Sequence, residues 1–199
     1  NLTQAREGLA RAQKMIQSGY TFHDRIGSHD GPRMIITQRL AFSQSPITVG
    51  EFMVYWNTAG VQRFGTDFPT CRDRESIFRS FRRRTPIDPG FTQGDNHPVV
   101  CISAPIADDY ARWLSVGSGN TYRIPSAAEL VGAGVGAAQD CAQGNIRDSS
   151  YRASVGGREY TACDDGYAHT SPVSAFKPAR NGLRDVAGNV REWSADCAD

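Results

Sequence analysis

From about residue 115 onward the chain is rich in glycine and turn signals, and NGLRDVAGNVREW at 181–193 is the clearest instance. An amphipathic helix spaces its apolar residues three and four apart, and a strand alternates them. Here glycine, asparagine and two acids, Asp185 and Glu192, crowd between Leu183 and Trp193, and neither pattern is met cleanly. The rest of 115–199 is also rich in glycine and turn residues. Such a segment is expected to form irregular structure fixed by something other than backbone ladders.

The front of the chain reads differently. Leu2, Ala5, Leu9, Ala12 and Ile16 recur at spacings of three and four, which predicts an amphipathic helix over 2–18 stopped by Gly19. Residues 1–19 are therefore read as an N-terminal helical element and 20–199 as the main domain. A stripe of this kind more often packs on its own domain than serves as a partner-binding arm. GPRMIIT predicts a strand. In SPITVGEFMVYWNTAG, Thr48 and Glu51 stand at capping-box spacing, Phe52, Tyr55 and Trp56 share a face, and Gly60 is the expected stop. A third helix follows HPVVCIS, with Ser103 as its cap, Pro105 in its first turn, and Ala107, Tyr110, Ala111 and Leu114 facing inward.

A length of 199 residues suits one domain with an appended element. The net charge of +1 supplies no global field toward DNA, RNA or an anionic membrane. The longest near-apolar run, PVVCISAPIA, falls short of the ~20 residues that a membrane helix needs. There is no GxSxG, P-loop or GxGxxG, and His23, His29, His97 and His169 form no HxH or HExxH. Hydrolase and nucleotide-binding readings thus have no local support. The start at Asn1, without an initiator methionine, fits either a processed export signal or a trimmed sequence.

The five cysteines show no CxxC and no zinc-like Cys/His quartet, so disulfides are the better reading. Cys141 and Cys163 flank one polar excursion and are paired first, with Cys71 and Cys101 as the second pair and Cys197 left over. Paired cysteines imply an oxidising compartment. Between Cys71 and Gly90 the chain concentrates six arginines. Of these, Arg79, Arg82, Arg83 and Arg84 are candidate contacts for an acidic partner, since guanidinium groups bind carboxylates in bidentate fashion. The competing reading is a solvated insertion with Ile77, Phe78 and Phe81 folded inward.

Four pieces line up in order: SPITVGEFMVYWNTAG, HPVVCISAPIADDYARWLS, TYRIPSAAEL and TSPVSAFKPARNGLRDVAGNVREWSADC. Together they resemble the formylglycine-generating enzyme (sulfatase-modifying factor) family across about residues 34–197. The resemblance implies an α+β, C-type-lectin-like fold with little regular secondary structure, stabilised by bound calcium. It also accounts for the composition of 181–193. Calcium takes six to eight hard oxygens, and a glycine-containing turn lets backbone carbonyls converge with carboxylates. Carried over, the ligands of one site are Asp185, the carbonyls of Gly188 and Val190, and Glu192. Those of a second are Asn145, the carbonyl of Ile146, Asp165 and the carbonyl of Tyr167. For both, the competing reading is plain turn chemistry, in which Asn and Asp bond their own backbone.

The sequence also departs from the family. Ala127 and Leu130 replace a glutamate and a tryptophan in the family's RLPTEAEWE, while Arg123, Pro125 and Glu129 are kept; Ala104 and Ile106 replace a tryptophan and an aspartate. No cysteine falls where the family holds its copper-binding thiolate pair, which follows a downstream segment expected beyond Asp199. The stretch GYTFHDRIGSHDGPRMIIT is similar to the entry of family members that work beside bacterial serine/threonine kinases, periplasmic accessory factors of type VI secretion among them. The expectation is an exported, noncatalytic, calcium-binding regulatory protein that binds a protein partner, such as the periplasmic part of a kinase or secretion component. The alternative is a copper-dependent oxidase of a substrate cysteine whose catalytic segment lies outside this sequence. A lectin-like ligand module comes third, with no sugar-site motif behind it.

Overall fold

A computed structural model of the chain describes residues 10–11, 13–15, 19–37, 40–72, 83–136 and 140–196. Most of the expected helix over 2–18 lies outside the described residues, while 10–11 and 13–15 are helical. The first sheet has three antiparallel strands in sequence order, β1 (Thr21–Ile26), β2 (His29–Thr37) and β3 (Leu40–Ser43). Gly27, at φ +62°, makes the turn between β1 and β2. The expected strand at 31–37 is thus the greater part of β2. Its neighbours are too short and too polar to announce themselves by alternation.

Both faces of β2 are covered, because Met34 and Ile35 are adjacent, point opposite ways, and are both buried. One side of the sheet meets the main core, where Ile26 packs with Phe52, Tyr55, Trp56, Ile106, Tyr110 and Leu114. On the other, Ile35 packs with Ala133 and Leu183. Gly182, at φ +82°, lets the chain close on the strand, since a Cβ there would stand 2.4 Å from Ile35 Cδ1. The irregular half of the protein is thereby clamped to the sheet. Arg184 N–H donates to Gln44 O at 2.7 Å, and Gln44 Nε2 donates to Gly182 O at 3.1 Å.

Helix α1 (Val49–Tyr55) carries the expected capping box, with Glu51 N–H donating to Thr48 Oγ1 and Thr48 N–H to Glu51 Oε2. The chain does not stop at Gly60, as the sequence suggested. It widens into a π-helical turn, Trp56–Gly60, and continues as α2 (Val61–Phe64) before ending at Gly65, φ +84°. Gly60 is there for packing: it is right-handed, and a Cβ would sit 2.7 Å from the Trp56 ring. Phe52, Tyr55 and Trp56 are the largest fully buried side chains, each worth about 2–3 kcal/mol by area. Phe68 stacks on Trp56 with centroids 5.2 Å apart.

A small second sheet pairs β4 (Cys71–Arg72) with β5 (Arg83–Arg84), and the Cys71–Cys101 disulfide ties it to the segment before α3 (Ala104–Ser118). Ser103 occupies the N-cap position of α3, though its side chain makes no capping hydrogen bond. Tyr110, Ala111 and Leu114 face inward as expected, but Ala107 is only half-buried. Ile106 and Asp109 take the buried positions instead. Buried Asp109 is held by the Tyr55 hydroxyl at 2.7 Å and by the Arg63 guanidinium, the pairing a buried charge requires. Helices α4 (Ala127–Gly132) and α5 (Ser149–Ser154) are short, and most of the remaining chain is turns.

Candidate functional site

The turn at 181–193 is irregular, as its composition implies, and three consecutive needs shape it. Asp185 and Asn189 are non-glycine residues at positive φ, +53° and +58°, and Gly188 stands at +86°. At Gly188 a Cβ would lie 2.2 Å from Asn145 O, so the position tolerates no side chain. Asn189 answers the backbone of Ser171 in both directions: its Oδ1 accepts from Ser171 N at 2.9 Å and its Nδ2 donates to Ser171 O at 3.1 Å. Asn189 N–H in turn donates to Asn145 O at 2.8 Å.

This scaffold carries Asp185 inward to 7 % exposure, and among the described residues neither of its carboxylate oxygens has a hydrogen-bond donor. Burial pushes its carboxyl up to about 6. The Asn189 amide, short of hydrogen-bond geometry, and Arg184 offset only part of that shift. Surrounding protein and the Asp185 charge push Glu192 the same way. Glu192 is itself an exposed residue, which limits that push, so the weight rests on Asp185. The carbonyls of Gly188 and Val190 accept no hydrogen bond from any described residue. Two acids and unengaged carbonyls in one turn are a donor set of hard oxygens. They fit a hard divalent cation such as calcium, which would satisfy the orphaned carboxylate.

The second predicted cluster is also brought together, but it is finished differently. Asp165 Oδ2 accepts from Ile146 N at 2.8 Å and Oδ1 from Tyr167 N at 2.8 Å, an Asx-type turn closed on the neighbouring segment. Buried Asn145 donates through Nδ2 to His169 O. Burial raises the Asp165 carboxyl, with the two N–H donors pulling it down and the charges of Asp148 and Asp164 adding to the rise. Each Asp165 oxygen keeps a second lone pair, and the carbonyls of Ile146 and Tyr167 accept nothing from the described residues. The residues fit a cation here too, though turn chemistry already accounts for their bonds.

Two residues of this region were not singled out from the sequence. Asp148 is fully buried, caps α5 through Tyr151 N at 2.9 Å, and accepts from Asp165 N at 2.5 Å. Its signal is an Asp directly before Ser149 at the start of a helix. Asn189, in the GN pair, is the residue that ties the two clusters together. The Cys141–Cys163 disulfide forms as expected and brackets the second cluster. Cys141 Sγ lies near the carboxylates of Asp148 and Asp165, but a disulfide sulfur is not the thiolate a metal would bind. Of the arginines, Arg79 and Arg82 lie outside the described residues. Arg83 is exposed, and half-buried Arg84 packs its guanidinium against Gly90, where a Cβ would meet Cζ at 2.3 Å.

A disulfide-bonded α+β domain with a small antiparallel sheet, short helices and an acid-bearing irregular half defines the class of fold. The chain belongs to the family described as the sulfatase-modifying factor enzyme 1-like domain, whose model matches residues 9–199. It is 36% identical over 130 residues to the formylglycine-generating enzyme of Thermomonospora curvata, covering 57% of this chain and 38% of that protein. It is 27% identical over 178 residues to the serine/threonine-protein kinase pkn1 of Chlamydia pneumoniae, covering 85% of this chain and 26% of the kinase. Among solved structures it is similar to PvdO from Pseudomonas aeruginosa, with TM-score 0.55, 26% identity, and 90% of this chain and 68% of that one covered. The chain thus spans between about a quarter and two-fifths of the length of these curated relatives.

Proposed function

We propose that this domain is a calcium-clamped, noncatalytic binding module that works on a protein partner in an exported, oxidising compartment. The observation that carries the reading is Asp185, a buried carboxylate with no donor among the described residues, in a turn that also carries Glu192 and the unengaged carbonyls of Gly188 and Val190. A bound cation would convert that unfavourable arrangement into a rigid one. Asp185, Glu192 and those carbonyls would hold one ion; Asn145, Asp165 and the carbonyls of Ile146 and Tyr167 would hold a second. The ion's contribution is structural, fixing the irregular half against the sheet.

Two disulfides suit an oxidising compartment, and no described helix is long and apolar enough to cross a membrane. Four of the five cysteines are engaged in these bonds, so the described residues hold no thiol for copper-dependent oxidation. Similarity to pkn1 over most of this chain supports a role beside kinase signalling; a secretion component as partner and type VI secretion as the setting are further parts of the proposal. Exposed Arg83 and its neighbours in the arginine-rich segment are the proposed contact.

The similarity to formylglycine-generating enzymes favours one alternative, a copper-dependent oxidase of a substrate cysteine. One experiment separates the two. The full native chain is incubated with copper, oxygen and a cysteine-containing sulfatase peptide, and the products are read by mass spectrometry. Catalytic conversion of cysteine to the aldehyde would establish the oxidase. Absence of turnover, with calcium binding seen by calorimetry and one of its two sites lost in Asp185→Asn, is the result expected. Absence of calcium binding in the chelator-treated protein would overturn the clamp.

A further inference from the structure

The two disulfides differ in what surrounds them more than in how they are built into the chain. All four cysteines are half-buried, and the bonds span separations of 30 and 22 residues. Access and loop length therefore distinguish them little, since loop-closure entropy grows only with the logarithm of length. Charge distinguishes them. Cys141 Sγ lies 3.7 Å from Oδ2 of fully buried Asp148, and the sulfur, one oxygen of Asp148 and one of Asp165 all lie within 4.8 Å of one another. Backbone N–H donors from Tyr151 and Asp165 hold Asp148 in place. Asp140 and Asp164 are chain neighbours of the two cysteines. Arg147, Arg152 and exposed Arg158 also fall between them, but the first two lie over the rings of Tyr151 and Tyr160. Cys71, by contrast, shares its four-residue sheet with three arginines and no acid. It stands directly opposite Arg84, and residues so paired place their Cβ atoms about 4.5–5.5 Å apart on one face. Its partner Cys101 is at φ +61°, a left-handed conformation that costs any residue bearing a side chain, whereas Cys141 and Cys163 are not at positive φ.

From this contrast we propose that Cys71–Cys101 is a reducible latch, opened by a dithiol under conditions that leave Cys141–Cys163 closed. A thiolate of the reductant attacks one sulfur, the other sulfur leaves as a thiolate, and the reductant's second thiol resolves the mixed disulfide. Two electrons and two protons pass to the protein, which gains two thiols, and the reductant departs as a disulfide. Nearby guanidinium groups draw in the attacking thiolate and stabilise the leaving one, while carboxylates oppose both steps. Reduction also lets Cys101 relax from its left-handed conformation, a gain the other bond does not offer. The latch holds β4 to the segment before α3. Ile102, the next residue, accepts the Trp193 indole N–H at 2.9 Å, so the end of the acid-bearing turn is anchored at the same point. Opening the bond frees the small sheet from α3, while Cys141–Cys163 keeps the Asp165 turn closed. The inference rests on neither the calcium reading nor the binding reading.

In the test, the full chain with both disulfides formed is exposed to dithiothreitol for increasing times, and the thiols released are blocked with N-ethylmaleimide and located by peptide mass spectrometry. Cys71 and Cys101 should be blocked together, roughly tenfold or more faster than Cys141 and Cys163. Charged monothiols then separate electrostatics from access. Anionic mercaptoethanesulfonate should widen that ratio and cationic cysteamine should narrow it, and both shifts should fade at about 1 M salt, where the Debye length is about 3 Å. Arg83→Gln, at an exposed position, should narrow the dithiothreitol ratio several-fold. In protein reduced only at Cys71–Cys101, amide exchange should quicken in β4 and β5 and stay unchanged in α5. Opening of Cys141–Cys163 first or at an equal rate, a ratio indifferent to reagent charge and to Arg83→Gln, or unchanged exchange in the small sheet would each overturn the inference.

Discussion

The turns around Asp165 and Asp185 are built from the same residue types, and the structure finishes one while leaving the other open. Asp165 takes a backbone N–H on each oxygen and is itself positioned by the buried Asp148. Asp185 is buried more deeply and takes none. A satisfied carboxylate contributes to folding by itself, whereas an unsatisfied one costs about 1–3 kcal/mol and more when charged. The difference teaches that the first turn already closes on donors of its own, while the second leaves its acid without one among the described residues. Gly188 joins them, with Asn145 O pressed against the place a side chain would occupy.

Breaking that shared wall should have the largest effect. Gly188→Ala places a methyl 2.2 Å from Asn145 O at φ +86°, and is expected to cost about 4 kcal/mol or more in thermal or urea unfolding. Gly166→Ala is the control. It has similar φ, +84°, and nothing within 4 Å, so only the left-handed backbone penalty of about 1–2 kcal/mol applies. Equal losses at the two glycines would show that the contact between the turns carries no weight.

Removing the Cys141–Cys163 disulfide in a double serine variant acts on one side of the comparison. Its closed loop is worth about 3 kcal/mol in the chain-entropy model. The stability loss should appear with and without calcium, while the calcium response governed by Asp185 survives. Loss of that response would mean the two turns do not behave as separate sites.

Calcium itself should act on the other side. At a hundred times Kd the ion raises stability by about 2.7 kcal/mol, and chelator should lower the melting temperature accordingly. In Asp185→Asn the response should shrink to the part owed to the Asp165 site while the metal-free protein becomes no less stable, since the variant removes an unpaired buried charge. Asp165→Asn should differ in the metal-free protein, losing about 2 kcal/mol there because it weakens two charge-assisted hydrogen bonds. If both variants destabilise the metal-free protein alike, Asp185 has a partner in solution and the contrast fails.

How far the sequence anticipated this depends on the range of each interaction. Capping boxes are local, so Thr48 with Glu51 was legible, and Ser126 with Glu129 shows the same S-x-x-E spacing. The order of the four motifs placed the fold, and the polar excursion between Cys141 and Cys163 marked their pairing. What stayed hidden is tertiary. Gly60 reads as a stop because spacing cannot show the Trp56 ring above it, and Asp165 and Asp185 look alike because the Ile146 N–H that engages Asp165, and that Asp185 lacks, comes from another segment. The π-helical turn at Trp56–Gly60 has no spacing signal of its own.

The smallest expected effect comes from a surface carboxylate that serves as an outside reference for both turns. Glu129 closes the capping box of α4 and takes both arms of the Arg123 guanidinium, at 2.7 and 2.6 Å. Those bonds, the Arg123 contact first, lower its carboxyl to about 2 from an ordinary 4.5. A carboxyl lowered in the folded state stabilises fully above its unfolded value and loses that contribution as pH falls through the folded one. Glu129 should therefore help at pH 5 and above, and progressively less from about pH 4.5 down to about 2. Glu129→Gln keeps a side chain able to cap but cannot ionise, so the difference between it and the parent isolates this group from other titrating acids. Melting curves at pH 6, 4.5, 3.5 and 2.5 should show the parent's advantage shrink toward zero at the acid end. An advantage independent of pH would mean that Glu129 contributes through shape and capping alone, and that ionised carboxylates in this protein gain little from the donors around them.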